Sequence, residues 1–363
     1  MKKFDFCIGN PPYQSETDAN SGNQSYSAPI YNDFMDAAYQ VANKVELVHP
    51  ARFLFDAGST PKVWNKKMLA DKHFKVLHYE ADTKKMFDNV AITGGVVISY
   101  HDNNKDFGEI GVFTQFPLLN SIYKKTVNYK SFQSMEPIVI TRTIYRLTTK
   151  MHEDPPEARY KEDENGKNIG CLSKGHDYDM ASNIFERLPQ IFFTTVPNDG
   201  HEYIRMLGRL NNQRTYMFLR RDYATQVANL DKYKVILAKA DGAAGTIGNP
   251  IPARVTGVPS VEGPATGTTE SFISIGSFNT EAEAINAQKY VKTKFARTLL
   301  SLLKVTQEIN PQKWKYVPLQ DFTPNSDINW NTSIHNIDLQ LYKKYGLTQE
   351  EIDFIETHVK EME

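Results

Sequence analysis

Short apolar runs alternate with amphipathic stretches through the first 125 or so residues, and this alternation restricts the fold more than any other feature. It is the pattern of an α/β domain with a largely parallel sheet. Phe4-Asp5-Phe6-Cys7-Ile8 reads as a short buried strand ending at Gly9. From Tyr31 to Asn43 a helical spacing sets Tyr31, Phe34, Met35, Ala38, Tyr39 and Ala42 on one face, and Val45 to Val48 follows as a second strand. Thr60 and Pro61 predict a helix start, as N-cap and first helical residue, with the helix running to Ala70. A third strand is expected at Phe74 to Tyr79, and a fourth, opened by Gly94-Gly95, at Val96 to Tyr100.

Beyond about Lys130 the pattern gives way to polar loops, Pro and Gly clusters and scattered short apolar runs, which predicts a domain boundary there. The chain's 363 residues suit two domains. The stretch from Asp154 to Gly170 is charged and reads as a flexible excursion. Strands are expected at Tyr216 to Leu219 and Val235 to Ala238, the second leading into a loop with Gly242, Gly245 and Gly248. That loop lacks the Lys-Ser/Thr ending of a phosphate-binding loop. Thr280 and Glu283 form a capping-box pattern at the head of a helix whose apolar positions continue to Leu303. Cys7 and Cys171 lie outside any CxxC or His/Cys ligand spacing, so neither a disulfide framework nor a zinc site is expected. No run of 18 apolar residues offers a membrane span, and a cytoplasmic location is expected.

The segment that carries chemistry is Asn10-Pro11-Pro12-Tyr13, set directly after an apolar strand and a glycine. In an open α/β sheet that is the carboxyl end of a strand, where ligands bind. Two prolines fix the turn, so the Asn10 side-chain oxygen and the Pro11 carbonyl become preorganised acceptors, and Tyr13 offers a flat face beside them. Such a pair suits a reaction on an exocyclic amine, whose two N–H bonds must be held while its nitrogen becomes tetrahedral. A base inside a duplex reaches such a site only by extrusion, and aromatic stacking offsets part of the unstacking energy.

Here the sequence resembles the S-adenosylmethionine-dependent amino-methyltransferases, whose fourth motif is a strand followed by Asn-Pro-Pro-Tyr. The string from Phe4 to Gln14 resembles that motif in the bifunctional, type IIG-like restriction-methylase proteins. Val48-His49-Pro50-Ala51-Arg52-Phe53-Leu54 is similar to the family's next strand and turn, and Ala91-Ile92-Thr93-Gly94-Gly95-Val96 to its later hairpin. Lys234 to Gly242, Phe272 to Gly276, Tyr290 to Phe295 and Tyr316 to Phe322 resemble its target-recognition region. The resemblance implies a partial Rossmann-like methyltransferase sheet plus an α+β target-recognition domain. It assigns 1–129 to the catalytic half, 130–330 to target recognition and 331–363 to a C-terminal helical segment.

It implies adenine-N6 methylation of double-stranded DNA, with Asn10, Pro11, Pro12 and Tyr13 catalytic and Gly9 and Asn10 next to the S-adenosylmethionine donor. Lys239, Asp241, Gly242, Arg254, Lys292 and Lys294 are the candidate DNA contacts. Relatives of this order carry a glycine-rich donor-binding turn ahead of the Asn-Pro-Pro-Tyr strand, whereas nine residues precede Asn10 here. The expectation is therefore that the donor-binding half comes from a second subunit, from self-association or from a segment missing at the start of this sequence. A DNA-binding specificity module without catalysis is the alternative, and methylation of protein glutamine or of RNA a third reading. No PD-(D/E)xK or HNH nuclease pattern is found.

The net charge of -1 gives no overall basic footprint. Lys289, Lys292, Lys294, Arg297 and Lys304 crowd one segment, and acidic residues from Glu350 to Glu363 another; solvated helix faces are the simpler reading. His49 is expected to be a packed structural histidine, and Trp64, Trp314 and Trp330 packing residues.

Overall fold

The computed structural model describes residues 2–15, 28–55, 58–87, 92, 94–155, 158–159, 161–168, 170–242, 247, 251–304 and 306–362. The chain divides into two compact units, Met1–Asn120 and Ser121–Glu363. Among the described residues no helix is long and apolar enough to cross a membrane.

In the first unit β1 (Phe4–Gly9), β2 (Ala42–Pro50), β3 (Phe74–Glu80) and β4 (Val96–Asp102) form one sheet in the order β1-β2-β4-β3. β1 pairs parallel with β2, while β4 runs antiparallel to both β2 and β3. Three strands thus point one way, and the last turns back as a hairpin between two of them. Helices α1 (Tyr31–Val41) and α2 (Lys62–Ala70) connect the strands.

One face of β2, carrying Val45, Leu47 and His49, is buried with Tyr31, Met35 and Ala38 of α1 and Trp64 and Met68 of α2 in the unit's core. Several expectations shift. β1 is an exposed edge strand rather than a buried one, with Phe4, Phe6 and Ile8 59%, 65% and 78% exposed, and the sheet is mixed rather than largely parallel, since β4 pairs antiparallel with both of its neighbours. Phe34 is 45% exposed rather than part of the buried face, because the helix turns its Tyr31, Met35 and Ala38 stripe inward. Helix α1 also stops at Val41, so Ala42 opens β2 instead of closing the helix. At the head of α2, Pro61 occupies the cap position and Thr60 does not accept from the helix. Its hydroxyl donates to Asn65 Oδ1 at 2.7 Å, a bond buried in the same core region.

The second unit contains α3 (Pro117–Val127), which begins just before the division, β5 (Val139–Ile140), the short helices α4 (Thr149–Glu153) and α5 (Ile184–Arg187), β6 (Tyr203–Leu210) and β7 (Gln213–Arg220). It continues with β8 (Tyr233–Ala238), β9 (Ser260–Glu262), β10 (Thr266–Thr268), β11 (Phe272–Phe278), α6 (Glu281–Lys292), α7 (Lys294–Ser301), α8 (Ile334–Lys344) and α9 (Gln349–His358). Two sheets result, β10-β6-β7 and β5-β11-β8-β9. Leu207 on the first meets Ile236 and Phe272 on the second. The β6–β7 hairpin turns on Asn211 and Asn212, both at positive φ (49° and 64°), the geometry that two-residue hairpins require.

The long apolar helix expected after Thr280 is two helices. Thr280 caps the first as predicted, accepting from the Glu283 N–H at 3.3 Å. The chain then leaves helical geometry at Thr293, whose hydroxyl accepts from Ala296, while buried Asp338 accepts from the N–H groups of Lys294 and Phe295 at 3.0 and 2.9 Å. These three acceptors satisfy the free donors of a new helix start, which offsets the break.

Candidate active site and nucleic-acid interface

Residues Asn10 to Tyr13 leave the carboxyl end of β1 as predicted from the strand and glycine before them. Asn10 and Pro12 are exposed, while Pro11 and Tyr13 are half-buried. The segment is tied down just beyond: Ile30 donates its N–H to the Tyr13 carbonyl at 3.2 Å, and Ser15 donates to Ala28 at 2.9 Å. The turn is thereby anchored to the start of α1.

Beside it opens a cavity of about 260 Å³ whose wall includes Tyr13, Tyr31, Pro50, Arg52, Thr60 and Ile92. Asn10, Pro11 and Pro12 are not part of that wall; they precede it at the strand tip. Pro50 ends β2, so the cavity lies where two parallel strands present their carboxyl ends. Its volume falls just under the ~300–1,000 Å³ of sites for drug-sized ligands, which suits one planar ring system. At Gly9 a Cβ would meet only Leu47, at an ordinary 3.6 Å, so the neighbouring side chains leave that position open.

The Tyr13 hydroxyl is buried and lacks a partner of good hydrogen-bond geometry among the described residues. Burial raises its pKa, and the nearby Asn10 side chain offsets part of the rise. Tyr31 is pushed up to about 12, first by burial, with Thr60 and Arg52 acting in the other direction. Both phenols are therefore neutral flat surfaces at ordinary pH.

Behind the cavity, Tyr31 stacks on His49 with centroids 5.8 Å apart and planes 6° from parallel. His49 is fully buried, with Nε2 2.7 Å from the Ser99 hydroxyl and Nδ1 3.2 Å from the Pro50 carbonyl. Nδ1 donates to that carbonyl, so Nε2 accepts from Ser99 and the ring is neutral. Burial lowers its pKa to about 4, and the bond to Pro50 opposes this. His49 is a structural support, as the sequence suggested.

Arg52, Tyr31 and Thr60 were not singled out as site residues by sequence reasoning. Arg52 sits in a string already compared with a known turn, but nothing local shows that its stem passes over Gly94. A Cβ at Gly94, where φ is +91°, would lie 2.5 Å from Arg52 Cγ. The glycine expected to open β4 is thus also the residue that lets Arg52 reach the cavity. Ala91 and Thr93 of the same string lie outside the described residues.

In the second unit Lys239 and Asp241 line a larger cleft of about 620 Å³ together with Arg209, Arg214, Asn183 and Asn212. Lys239 Nζ donates to Ser182 at 3.1 Å, and burial, then Arg142, lowers its pKa. Arg254 is ion-paired with Asp241. Gly242 is required where the chain folds back: φ is +78°, and a Cβ would lie 2.4 Å from the Val255 carbonyl oxygen. Gly245 and Gly248 of this loop lie outside the described residues.

Lys292 and Lys294 are not brought to this cleft. Lys294 is 12% exposed and holds the Glu356 carboxylate at 2.5 Å, joining α7 to α9. The basic run around it is no surface patch, since Arg297 and Lys304 are each 1% exposed. Nor is the acidic end simply a solvated face, since Glu351 is buried and accepts from Lys125 at 2.7 Å. Trp64, Trp314 and Trp330 are buried, as expected of packing residues.

Residues 1–87 match the family model of the Eco57I restriction-modification methylases, so the unit with the Asn-Pro-Pro-Tyr turn carries the sequence signature of a restriction-modification methylase. Over 105 residues the chain is 30% identical to an uncharacterised Mycoplasma pneumoniae protein described as an adenine-specific methylase. That alignment takes in 29% of this chain and 25% of the relative, so the chain spans about a quarter of the curated relative's length. Among solved structures, the type IIG restriction endonuclease BpuSI aligns over 91% of this chain and 48% of its own, at 9% identity and a TM-score of 0.32, too loose a likeness to assign a fold.

Proposed function

We propose that the protein acts in site-specific methylation of adenine N6 in double-stranded DNA, the first unit presenting the base for transfer and the second reading the target. The observation that carries the proposal is the open, base-sized cavity bounded by Tyr13 at the carboxyl end of β1. The sheet order supports it: three co-directional strands, with an antiparallel strand inserted before the last, are compatible with one half of a Rossmann-like methyltransferase sheet. An extruded adenine stacks on Tyr13, and the Asn10 side-chain oxygen and Pro11 carbonyl accept the two amine hydrogens. Held this way, the nitrogen lone pair is drawn out of ring conjugation and faces an incoming methyl group.

S-adenosylmethionine is the donor implied by the methylase resemblance, with Gly9 and Asn10 at the strand tip next to it and the cavity beside them taking the base. A donor-binding half, carried by a second subunit, a second copy or a further segment of the same chain, covers the outer side of β1. Support comes from that strand's position at the sheet edge, with Phe4, Phe6 and Ile8 on one face 59%, 65% and 78% exposed.

Transfer of a labelled methyl group from S-adenosylmethionine to duplex DNA tests the proposal, using the protein together with the chains that co-purify with it. Asn10→Ala is expected to slow transfer by roughly 10²- to 10³-fold, the cost of one preorganised polar contact, with duplex affinity unchanged. An equal loss of duplex binding would remove Asn10 from its catalytic role. Tight, salt-sensitive duplex binding without any donor affinity in calorimetry would instead favour a non-catalytic specificity module.

A further inference from the structure

The 620 Å³ cleft of the second unit lies at the turn end of the β6–β7 hairpin and the carboxyl end of β8, with Ala238 and Phe272 among its walls. Three cations line it: Arg209, Arg214 and Lys239. Arg209 and Arg214 are direct register partners, so two arginines project from one face of the hairpin. Like charges in that position destabilise a sheet, and the carboxylates nearby are already engaged. Asp241 is engaged by Arg254, and Glu186 accepts from the Asn211 N–H at 3.1 Å. Arg209 itself donates to a main-chain oxygen, that of Asn212, at 3.0 Å.

Arg214 is the most firmly oriented of the three. Its guanidinium lies 5.4 Å from the Phe272 ring centroid, and Nη2 reaches Ser260 at 2.5 Å and Glu262 at 3.5 Å. Glu262 is 5% exposed and is held in turn by Arg205 at 2.8 Å and Tyr216 at 2.5 Å. Yet the Arg214 side chain is 40% exposed. A guanidinium carries five donors in a planar fork, and both of these bonds use one nitrogen, which leaves donors for a ligand. A fork fixed from behind and open in front matches the O6 and N7 acceptors of a guanine edge. A two-stranded ribbon has the width that the DNA major groove admits, and the Asn183 and Asn212 amides in the same cleft are the side-chain type that pairs with adenine.

We propose that this cleft is where the second unit reads duplex DNA, with Arg214 as a specificity-determining residue that addresses a guanine in the major groove. The inference rests on the function proposed above and deepens it.

The test selects preferred sites from a randomised duplex pool with the full chain and its Arg214→Ala, Arg214→Lys and Arg209→Ala/Lys239→Ala variants, then measures affinity across salt concentrations. Thermal melting is recorded in parallel, and Arg214→Lys serves if the alanine variant does not fold. Arg214→Ala is expected to lose preference at one G·C pair, with affinity for the selected site falling roughly 5- to 150-fold. Arg214→Lys keeps affinity for random duplex and still loses that preference, since a point charge does not replace a planar fork. Uniform weakening over all sequences, with the salt slope reduced by about one and full rescue by lysine, would overturn the base-reading role and make Arg214 a phosphate contact. Unchanged affinity, slope and preference in every variant of a duplex-binding chain would overturn the cleft assignment and leave the methylation proposal standing. A wild-type chain that binds no duplex would overturn both the inference and the target-reading role of the unit.

Discussion

Lowering the pH should weaken the first unit through His49, and the size of the effect follows from its surroundings. The ring is fully buried, neutral, and fixed by Ser99 and Pro50, with its pKa lowered from 6.5 to about 4. In the unfolded chain the same imidazole takes up a proton near its ordinary value. Because the folded pKa is the lower one, the unfolded state binds more protons between about pH 4 and 6.5, and stability falls as pH drops through that window. A displacement of about 2.5 units corresponds to about 3 kcal/mol when complete, and to about 2 kcal/mol at pH 5. That is a large fraction of a typical domain stability of ~5–15 kcal/mol.

Two measurements check this prediction. The Cε1 proton of His49, followed by NMR from pH 8 downward, should keep its neutral chemical shift to about pH 5. Hydrogen exchange of β2 and β4 amides should report a loss of unit stability on acidification that is reduced in His49→Gln, where no imidazole titrates. Titration of His49 near 6.5, or the same acid slope in wild type and variant, would refute the argument that burial holds this ring neutral. The consequence for function is direct, since Tyr31 of the cavity wall stacks on that ring.

Gly94→Ala should cost about 1–3 kcal/mol, because it places a methyl 2.5 Å from Arg52 Cγ at a φ of +91°. Exchange of β4 amides would reveal the loss, and wild-type protection in the variant would contradict it. Thr348→Ala should destabilise α9 by ~1 kcal/mol, since the Thr348 hydroxyl accepts from Glu351 N–H while the Glu351 carboxylate accepts from Thr348 N–H at 2.7 Å. The helix's amide protection factors measure this directly, and unchanged protection would show that the cap contributes nothing.

The strand and helix sequence of the first unit was legible because its signals are local. Period-two and helical spacings locate β1 to β4 and both helices, and the glycine before Asn10 marks the end of a strand. The methylase resemblance read from Asn10 to Tyr13 and Val48 to Leu54 is borne out over residues 1–87. Local pattern also predicted the Thr280 cap, the burial of the three tryptophans and the structural role of His49.

What the sequence could not decide was whatever depends on residues far apart in the chain. Tyr13, Tyr31, Arg52 and Ile92 share one cavity wall only because β1 and β2 lie side by side and the turn before β4 folds over their ends. Lys294 and Arg297 look like a basic surface when read in a row. Tertiary packing turns the first to Glu356 and buries the second, since a charge is carried inside a protein only where bonding partners await it. Arg209 and Arg214 show the converse: they flank a tight Asn-Asn turn, and their shared cleft with Lys239 exists only once the two sheets meet. Sequence determines which segments become strands, helices and rigid turns, because backbone propensity and periodicity act within a few residues. Which charges face solvent, and which side chains converge on one ligand, is set by contacts across the whole unit.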